Sequence, residues 1–111
     1  VLFFEKKWNI AVFNNPLDIL NDNSISLIDA RIPAIPKKYS FFADPFFSAE
    51  GKKIRIEAMS KETGMGEIIE LDSKTLAMER ILLQGIHFSY PFSFEHDGEE
   101  FLFPEVADHS K

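Results

Sequence analysis

Two phenylalanine-rich stretches resemble each other, FADPFF (residues 42–47) and FSYPFSF (residues 88–94), and apolar and polar residues alternate at the end of the second. Alternation with a period of two is typical of β-strands, whose successive side chains point to opposite faces. Each stretch is followed by a turn signal and a second apolar run. Asp97-Gly98 between two aromatic-rich runs strongly favours a tight hairpin, and AEGK (residues 49–52) is a weaker signal of the same kind. Each copy is therefore predicted to be a β-hairpin.

The second copy is longer than the first by two residues, which fall around the turn. Because strand residues alternate faces with a period of two, this insertion leaves the facing of every side chain unchanged. The sequence thus predicts two equivalent hairpins. The matched positions are Asp44 with Tyr90, Pro45 with Pro91, Gly51 with Gly98, and Glu57 with Glu105.

Between the copies, EIIEL (residues 67–71) is predicted to be a strand and LDSKT (residues 71–75) a turn. The next stretch, residues 73–85, is ambiguous, because Ser73 could cap a helix and Gly85 could end it. The repeat favours a strand instead, since four strands in about 46 residues match one blade of a β-propeller. We expect an all-β fold of antiparallel β-propeller blades, about two of them.

The first third of the chain is less regular. Residues 7–13 (KWNIAVF) alternate as a strand does, and residues 14–24 are expected to form a loop. Pro33 and Pro36 interrupt residues 25–40, which predicts an edge strand or an extended connector. The whole chain, residues 1–111, is expected to be one partial propeller domain, with approximate blades at 40–86 and 87–111 and N-terminal strands in 1–39.

Composition and charge exclude several classes of function. The chain has 111 residues, 45% of them apolar, which is enough for a packed core. Its net charge of −6 would repel a phosphate backbone, so nucleic acid is not an expected partner. Charged residues interrupt every apolar run, so no membrane insertion is expected. Cysteine is absent, and the cellular compartment stays open.

The motifs also resemble a known family. The motifs that carry the resemblance are FADPFF with a hairpin ending in Glu57, then GEI, then HFSYPFSFEHDGEEFLFPE. Together they resemble the β-propeller domain at the N-terminus of plant glucosamine inositolphosphorylceramide transferases. The same domain occurs in bacterial proteins, some of them formyltransferase-like. The resemblance covers about residues 8–105, and its later motif is the most specific part. That family is similar in fold to five-bladed arabinanase- and xylosidase-type glycosidases, whose blades carry an X-Asp-Pro motif on the innermost strand.

The resemblance implies a carbohydrate-related setting. A five-bladed ring at about 46 residues per blade needs well over 200 residues, so two blades would leave strand edges unpaired. The chain begins at Val1 rather than at a methionine, which also favours a fragment. Exposed edges predict self-association or pairing with missing blades.

Three carboxylates are candidates for catalysis. Asp44 is expected at the start of an innermost strand, pointing into a central channel, where the resemblance implies that it acts as a general base. An Asp-Pro turn is an alternative. Glu57 and Glu105, expected to end the second strand of each hairpin, are candidates for the acid. Glycoside hydrolysis needs two carboxyl groups about 5 to 9.5 Å apart, one of them kept protonated. Exposed glutamates at strand ends would explain the same pattern without catalysis.

Tyr90 stands where the glycosidases carry a second aspartate. A phenol can stack on a sugar or donate a hydrogen bond, but it brings no charge at neutral pH, so Tyr90 favours binding over hydrolysis. Trp8 and His87 are further candidates for substrate binding, with a structural histidine as the alternative for His87. The twelve phenylalanines are expected mostly to pack between blades.

The three histidines, at 87, 96 and 109, have no metal-ligand spacing, and no cofactor is predicted. GMG (residues 64–66) is expected to be a turn rather than a phosphate loop. Three functions stay open: a module that recognises a glycan or glycoconjugate, a glycosidase-like or glycosyl-transfer enzyme with Asp44 as base and Glu105 as acid, and a non-catalytic assembly scaffold.

Overall fold

The structure, a computed structural model, describes residues 9–13 and 30–107. This part of the chain contains eight strands, and it contains no helix that could cross a membrane. The strands are β1 (Val12–Phe13), β2 (Ala30–Arg31), β3 (Tyr39–Phe47), β4 (Lys53–Ser60), β5 (Gly66–Asp72), β6 (Met78–Leu83), β7 (His87–His96) and β8 (Glu99–Ala107).

All strand pairs are antiparallel, which confirms the predicted all-β, antiparallel class. Strands β3 to β6 form one four-stranded sheet in chain order, while β1–β2 and β7–β8 are separate two-stranded sheets. Both predicted hairpins are present, as β3–β4 and β7–β8.

The ambiguous stretch after residue 73 forms strand β6, as predicted, and not a helix. Asp72 determines this choice locally, because its Oδ1 accepts hydrogen bonds from the Lys74 and Thr75 N–H groups, each at 2.8 Å. The resulting turn reverses the chain and returns it alongside β5.

One side of the four-stranded sheet carries the hydrophobic core. Alternate residues of β4 and β5 point to this side, and most of their apolar side chains are completely buried. Residues before β3 cover them, with Ile10 and Val12 buried and Ile35 packed against the cluster. The core members in the sheet are Tyr39, Phe42, Ile54, Ile56, Ala58, Ile69 and Leu71.

The opposite side of the sheet bears Arg55, Glu57 and Glu70, and the β7–β8 hairpin packs there. Strand β7 makes most of these contacts, against β3, β4 and β5. The candidate residues Glu57 and His87 lie close together at this junction between the sheet and β7.

Both Asp-Pro and Tyr-Pro interrupt their strand in the same way. From Ala43 to Phe46, β3 advances three residues while its partner β4 advances only two. From Ser89 to Phe92, β7 likewise advances three residues while β8 advances two. Each is a β-bulge, which bends the strand and re-aims a side chain. Asp44 and Tyr90 lie at these bulges with positive φ angles of 53° and 49°.

The predicted strand ends were wrong for three carboxylates. Asp44 lies inside β3 rather than at its start, and Glu57 and Glu105 lie inside β4 and β8 rather than at their ends. The reason is that strand pairing resumes on the far side of each bulge, as the Tyr39–Ser60 pair shows. Glu57 is consequently buried, with 6% of its surface exposed.

Candidate functional site

A pair of carboxyl groups lies at the first bulge. Glu57 is paired across the strands with Ala43, next to Asp44, and its buried carboxyl group interacts with the exposed Asp44. Burial, together with the charge and hydrogen bonding of Asp44, raises the pKa of Glu57 to about 7. Glu57 therefore keeps its proton at a pH where an ordinary glutamate has released it.

His87, at the start of β7, lies beside this pair. Its Nδ1 accepts a hydrogen bond of 2.8 Å from the Gly66 N–H, and its Nε2 lies 3.8 Å from Glu57 Oε1. Because Nδ1 is an acceptor, the ring proton is on Nε2 and faces the glutamate. His87 is therefore oriented by the backbone of β5 toward the carboxyl pair.

Gly66 allows this close approach. A Cβ added at Gly66 would lie 2.2 Å from the Phe88 carbonyl oxygen and 2.8 Å from Glu57 Oε1. Any larger residue would push β7 off the sheet and separate His87 from Glu57. The GMG motif was correctly predicted to be a turn, around Gly64, but its last glycine has this additional packing role.

Tyr90 lies at the second bulge and 46% of its surface is exposed. Its ring contacts Phe46 edge-on, with centroids 4.9 Å apart, and Phe46 is only two residues beyond Asp44. An exposed phenol therefore lies on the same junction as the carboxyl pair. The structure thus brings together Asp44, Glu57, His87 and Tyr90.

Two other predicted residues are not part of this cluster as described. Glu105 is exposed on β8 and pairs with Ser89, so it occupies in the second hairpin the position that Glu57 has in the first. Trp8 lies outside the described residues, as does His109. His96 is exposed at the end of β7, where its Nε2 lies 3.3 Å from Asp97.

An ionic network lies beside the site, and reasoning from the sequence did not identify it. Buried Glu70 accepts from Arg55 Nε at 3.2 Å and from Arg80 Nε at 3.0 Å, and Arg55 also pairs with Glu100 at 2.5 Å. The signal that could have found it is the register, since Arg55, Glu70 and Arg80 are cross-strand neighbours on three consecutive strands. This network fixes the tip of the β7–β8 hairpin to the sheet.

The arrangement can bind hydroxyl groups. Glycoside hydrolysis needs two carboxyl groups that flank the sugar bond, whereas here Asp44 is exposed and Glu57 is buried. Exposed carboxylate and phenol groups instead suit the hydroxyl groups and flat faces of a sugar. Within residues 9–13 and 30–107, no three His, Cys, Asp or Glu side chains group closely enough to hold a metal ion.

Comparison of the chain with protein-family models, curated proteins and solved structures found no match. The family resemblance of the two Pro-Phe motifs therefore stays a prediction, and the function must be inferred from the site itself.

Proposed function

We propose that this chain is a carbohydrate-recognition module built from β-propeller blades, and that the junction of Asp44, Glu57, His87 and Tyr90 binds a glycan or glycoconjugate. The observation that carries the proposal is the carboxyl pair: Asp44 is exposed, and its partner Glu57 is buried with a pKa of about 7. The exposed Asp44 oxygens accept hydrogen bonds from sugar hydroxyls, and the exposed Tyr90 hydroxyl can donate as well as accept.

The propeller part of the proposal is supported by the internal repeat. The two hairpins share the same bulge at the same position, and the first continues into a four-stranded meander of the kind that forms a blade. The next hairpin packs against the face of that meander, as consecutive blades do.

Recognition is favoured over hydrolysis by the burial of Glu57, of whose surface 6% is exposed, beside the exposed Asp44. Only one of the two carboxyl groups is accessible to a sugar, whereas glycoside hydrolysis needs two that flank the glycosidic bond. The tyrosine at the second bulge provides a surface for a sugar ring instead of a further carboxylate.

The test is binding of arabino-, xylo- and gluco-oligosaccharides to the whole chain by isothermal titration calorimetry. We expect at least one ligand to bind, and the Tyr90→Ala variant to bind it about tenfold or more weakly, since stacked aromatic rings dominate such sites. Phe47→Ala is the matched control and should bind normally. Phe47 is also exposed, but it lies on the side of β3 that faces away from the junction.

Two results would contradict recognition. Release of reducing sugar that Asp44→Asn abolishes would show an enzyme, and no binding by any ligand of the panel would leave the chain as a scaffold. Asp44→Asn should keep part of the binding, because an amide still hydrogen-bonds to hydroxyl groups.

A further inference from the structure

Four exposed phenylalanines lie together on one side of the β7–β8 hairpin. Phe92 pairs with Phe103 and Phe94 with Phe101, so all four point the same way. The Phe94 and Phe101 rings stack with centroids 5.5 Å apart. Their exposed fractions run from 42% to 70%. We refer to these four residues as the phenylalanine face.

One end of the phenylalanine face contacts the sheet, since the Phe92 and Phe46 ring centroids are 6.2 Å apart. Phe94, Phe101 and Phe103 extend the face beyond that contact. The other side of the same hairpin carries Glu100, which pairs with Arg55 on the sheet and accepts a hydrogen bond from the Ala49 N–H at 2.5 Å. Side chains on adjacent strand positions point in opposite directions, so Phe101 and Phe103 are directed outward. Their large exposed apolar area is typical of a protein contact surface.

The hairpin that carries this face is strongly acidic. Between residues 87 and 107 the sequence contains no Lys or Arg and five acidic side chains. These acidic positions are Glu95, Asp97, Glu99, Glu100 and Glu105. Glu100 faces the sheet, whereas Glu99 and Glu105 alternate with the residues between them so as to lie on the same side of β8 as the phenylalanine face. An apolar surface with such acidic neighbours favours a partner that is apolar at its centre and basic around it.

Such a surface exists on this chain. Residues 31–38 (RIPAIPKK), named here the basic segment, contain three basic residues and no acidic one. Ile32 in this segment is 61% exposed, and it lines an open depression of about 510 Å³ beside Lys74 and Met78. The basic segment thus combines exposed apolar groups with positive charge.

The two surfaces lie on opposite sides of the four-stranded sheet. Ile35 of the basic segment packs against the core side, whereas the β7–β8 hairpin packs on the side of Arg55 and Glu57. The sheet therefore prevents contact between them within one copy. A contact between them requires two copies, arranged head to tail.

We propose that the phenylalanine face of one copy docks on the basic segment of a second copy. This contact is heterologous, so each added copy presents a new phenylalanine face, and the assembly grows as a ring or a row. The proposal rests on the charge and exposure of the two surfaces and is independent of carbohydrate recognition.

The test is sedimentation velocity of the whole chain at increasing concentration. We expect association that weakens as NaCl rises from about 50 mM to about 500 mM, because salt screens the charges around the contact. The face variant, Phe101→Ser with Phe103→Ser, and the segment variant, Lys37→Glu with Lys38→Glu, should each associate about tenfold or more weakly. The four substituted side chains are all exposed, so both variants should fold, and circular dichroism should give them the spectrum of the wild type.

Mixing the two variants gives the decisive result. The segment variant keeps an intact phenylalanine face and the face variant an intact basic segment, so the mixture should form a one-to-one complex and stop there. Phe47→Ser and Lys52→Glu change an exposed phenylalanine and an exposed lysine elsewhere, and should associate as the wild type does.

Two outcomes would overturn the proposal. One is a wild-type chain that sediments as a monomer at every concentration. The other is a segment variant that associates normally while the mixture gives no one-to-one complex, because that pattern indicates a symmetric contact of one phenylalanine face with another.

Discussion

Asp44 and Tyr90 occupy the same backbone position in two successive hairpins. Each precedes a proline, each lies at the bulge of its strand, and each has a positive φ, 53° and 49°. Few residues other than glycine adopt such angles, so the two bulges are specific features of the fold. The equivalence means that one local geometry presents a carboxylate in the first hairpin and a phenol in the second.

Replacing Gly66 by alanine should destabilise the chain by about 2 to 4 kcal/mol, because the added Cβ would collide with the backbone of β7. The nearest atom, the Phe88 carbonyl oxygen, would lie only 2.2 Å away. Unfolding in urea measures the effect. Gly51→Ala is the control: it has positive φ but open space, and should cost only about 1 kcal/mol. Equal losses in the two variants would contradict the close contact.

Stability should fall as the pH rises through 7, because of Glu57. Its pKa is raised from 4.5 to about 7 in the folded chain, so the folded state keeps a proton that the unfolded state has released. This contribution is complete below about pH 4.5 and is lost above 7. At about 1.36 kcal/mol per pKa unit, the loss is on the order of 3 kcal/mol.

The Glu57→Gln variant tests this directly. Its amide can donate to Asp44 at every pH, so its free energy of unfolding should decline less than that of the wild type between about pH 5 and pH 9. Urea unfolding at several pH values gives both curves. Parallel curves would show that Glu57 does not carry the pH dependence.

Removing the Glu70 carboxylate should cost about 2 kcal/mol, since Arg55 would remain largely buried beside the vacated position. The loss is moderated because Arg55 keeps Glu100 and Arg80 is mostly exposed. Glu70→Ala can be compared with Glu50→Ala, whose ion pair with Lys52 is exposed and should contribute less than about 0.5 kcal/mol. Thermal or urea unfolding that ranks the two variants equally would contradict this role.

The hairpin turn between β7 and β8 should tolerate Asp97→Asn but not Asp97→Val. Asp97 and Gly98 both have positive φ, 52° and 78°, as a type I′ turn requires. A β-branched residue at that φ costs about 1 to 2 kcal/mol, whereas asparagine adopts it readily. The exposed His96–Asp97 ion pair adds little to this difference. Urea unfolding in which valine matches asparagine would exclude this turn geometry.

The local part of the fold could be predicted from the sequence. Asp97-Gly98 marked the second hairpin, and the repeat period selected a strand over a helix for residues 78–83, as the structure confirms. These features depend on neighbours in the sequence, whose turn preferences and side-chain alternation are directly visible. Glu57 and Glu105, which the sequence matches with each other, lie opposite the two bulges, but the sequence predicted them at strand ends.

The candidate site could be predicted only in part, because it depends on how the second hairpin lies on the sheet. The contact of His87 with Gly66 joins residues that are 21 positions apart and on different sheets. The burial of Glu57 follows from the same packing, which no period or spacing reveals. The sequence identified Asp44, Glu57 and His87 as candidates but did not predict their contacts.

Burial and the neighbouring Asp44 keep Glu57 protonated up to a pH near 7. An NMR titration of the Glu57 side-chain carboxyl carbon, in the wild type and in Asp44→Asn, measures this pKa. We expect a wild-type midpoint near 7 and a lower midpoint in the variant, still above 4.5 because Glu57 remains buried. A wild-type midpoint near 4.5, unchanged in Asp44→Asn, would contradict it.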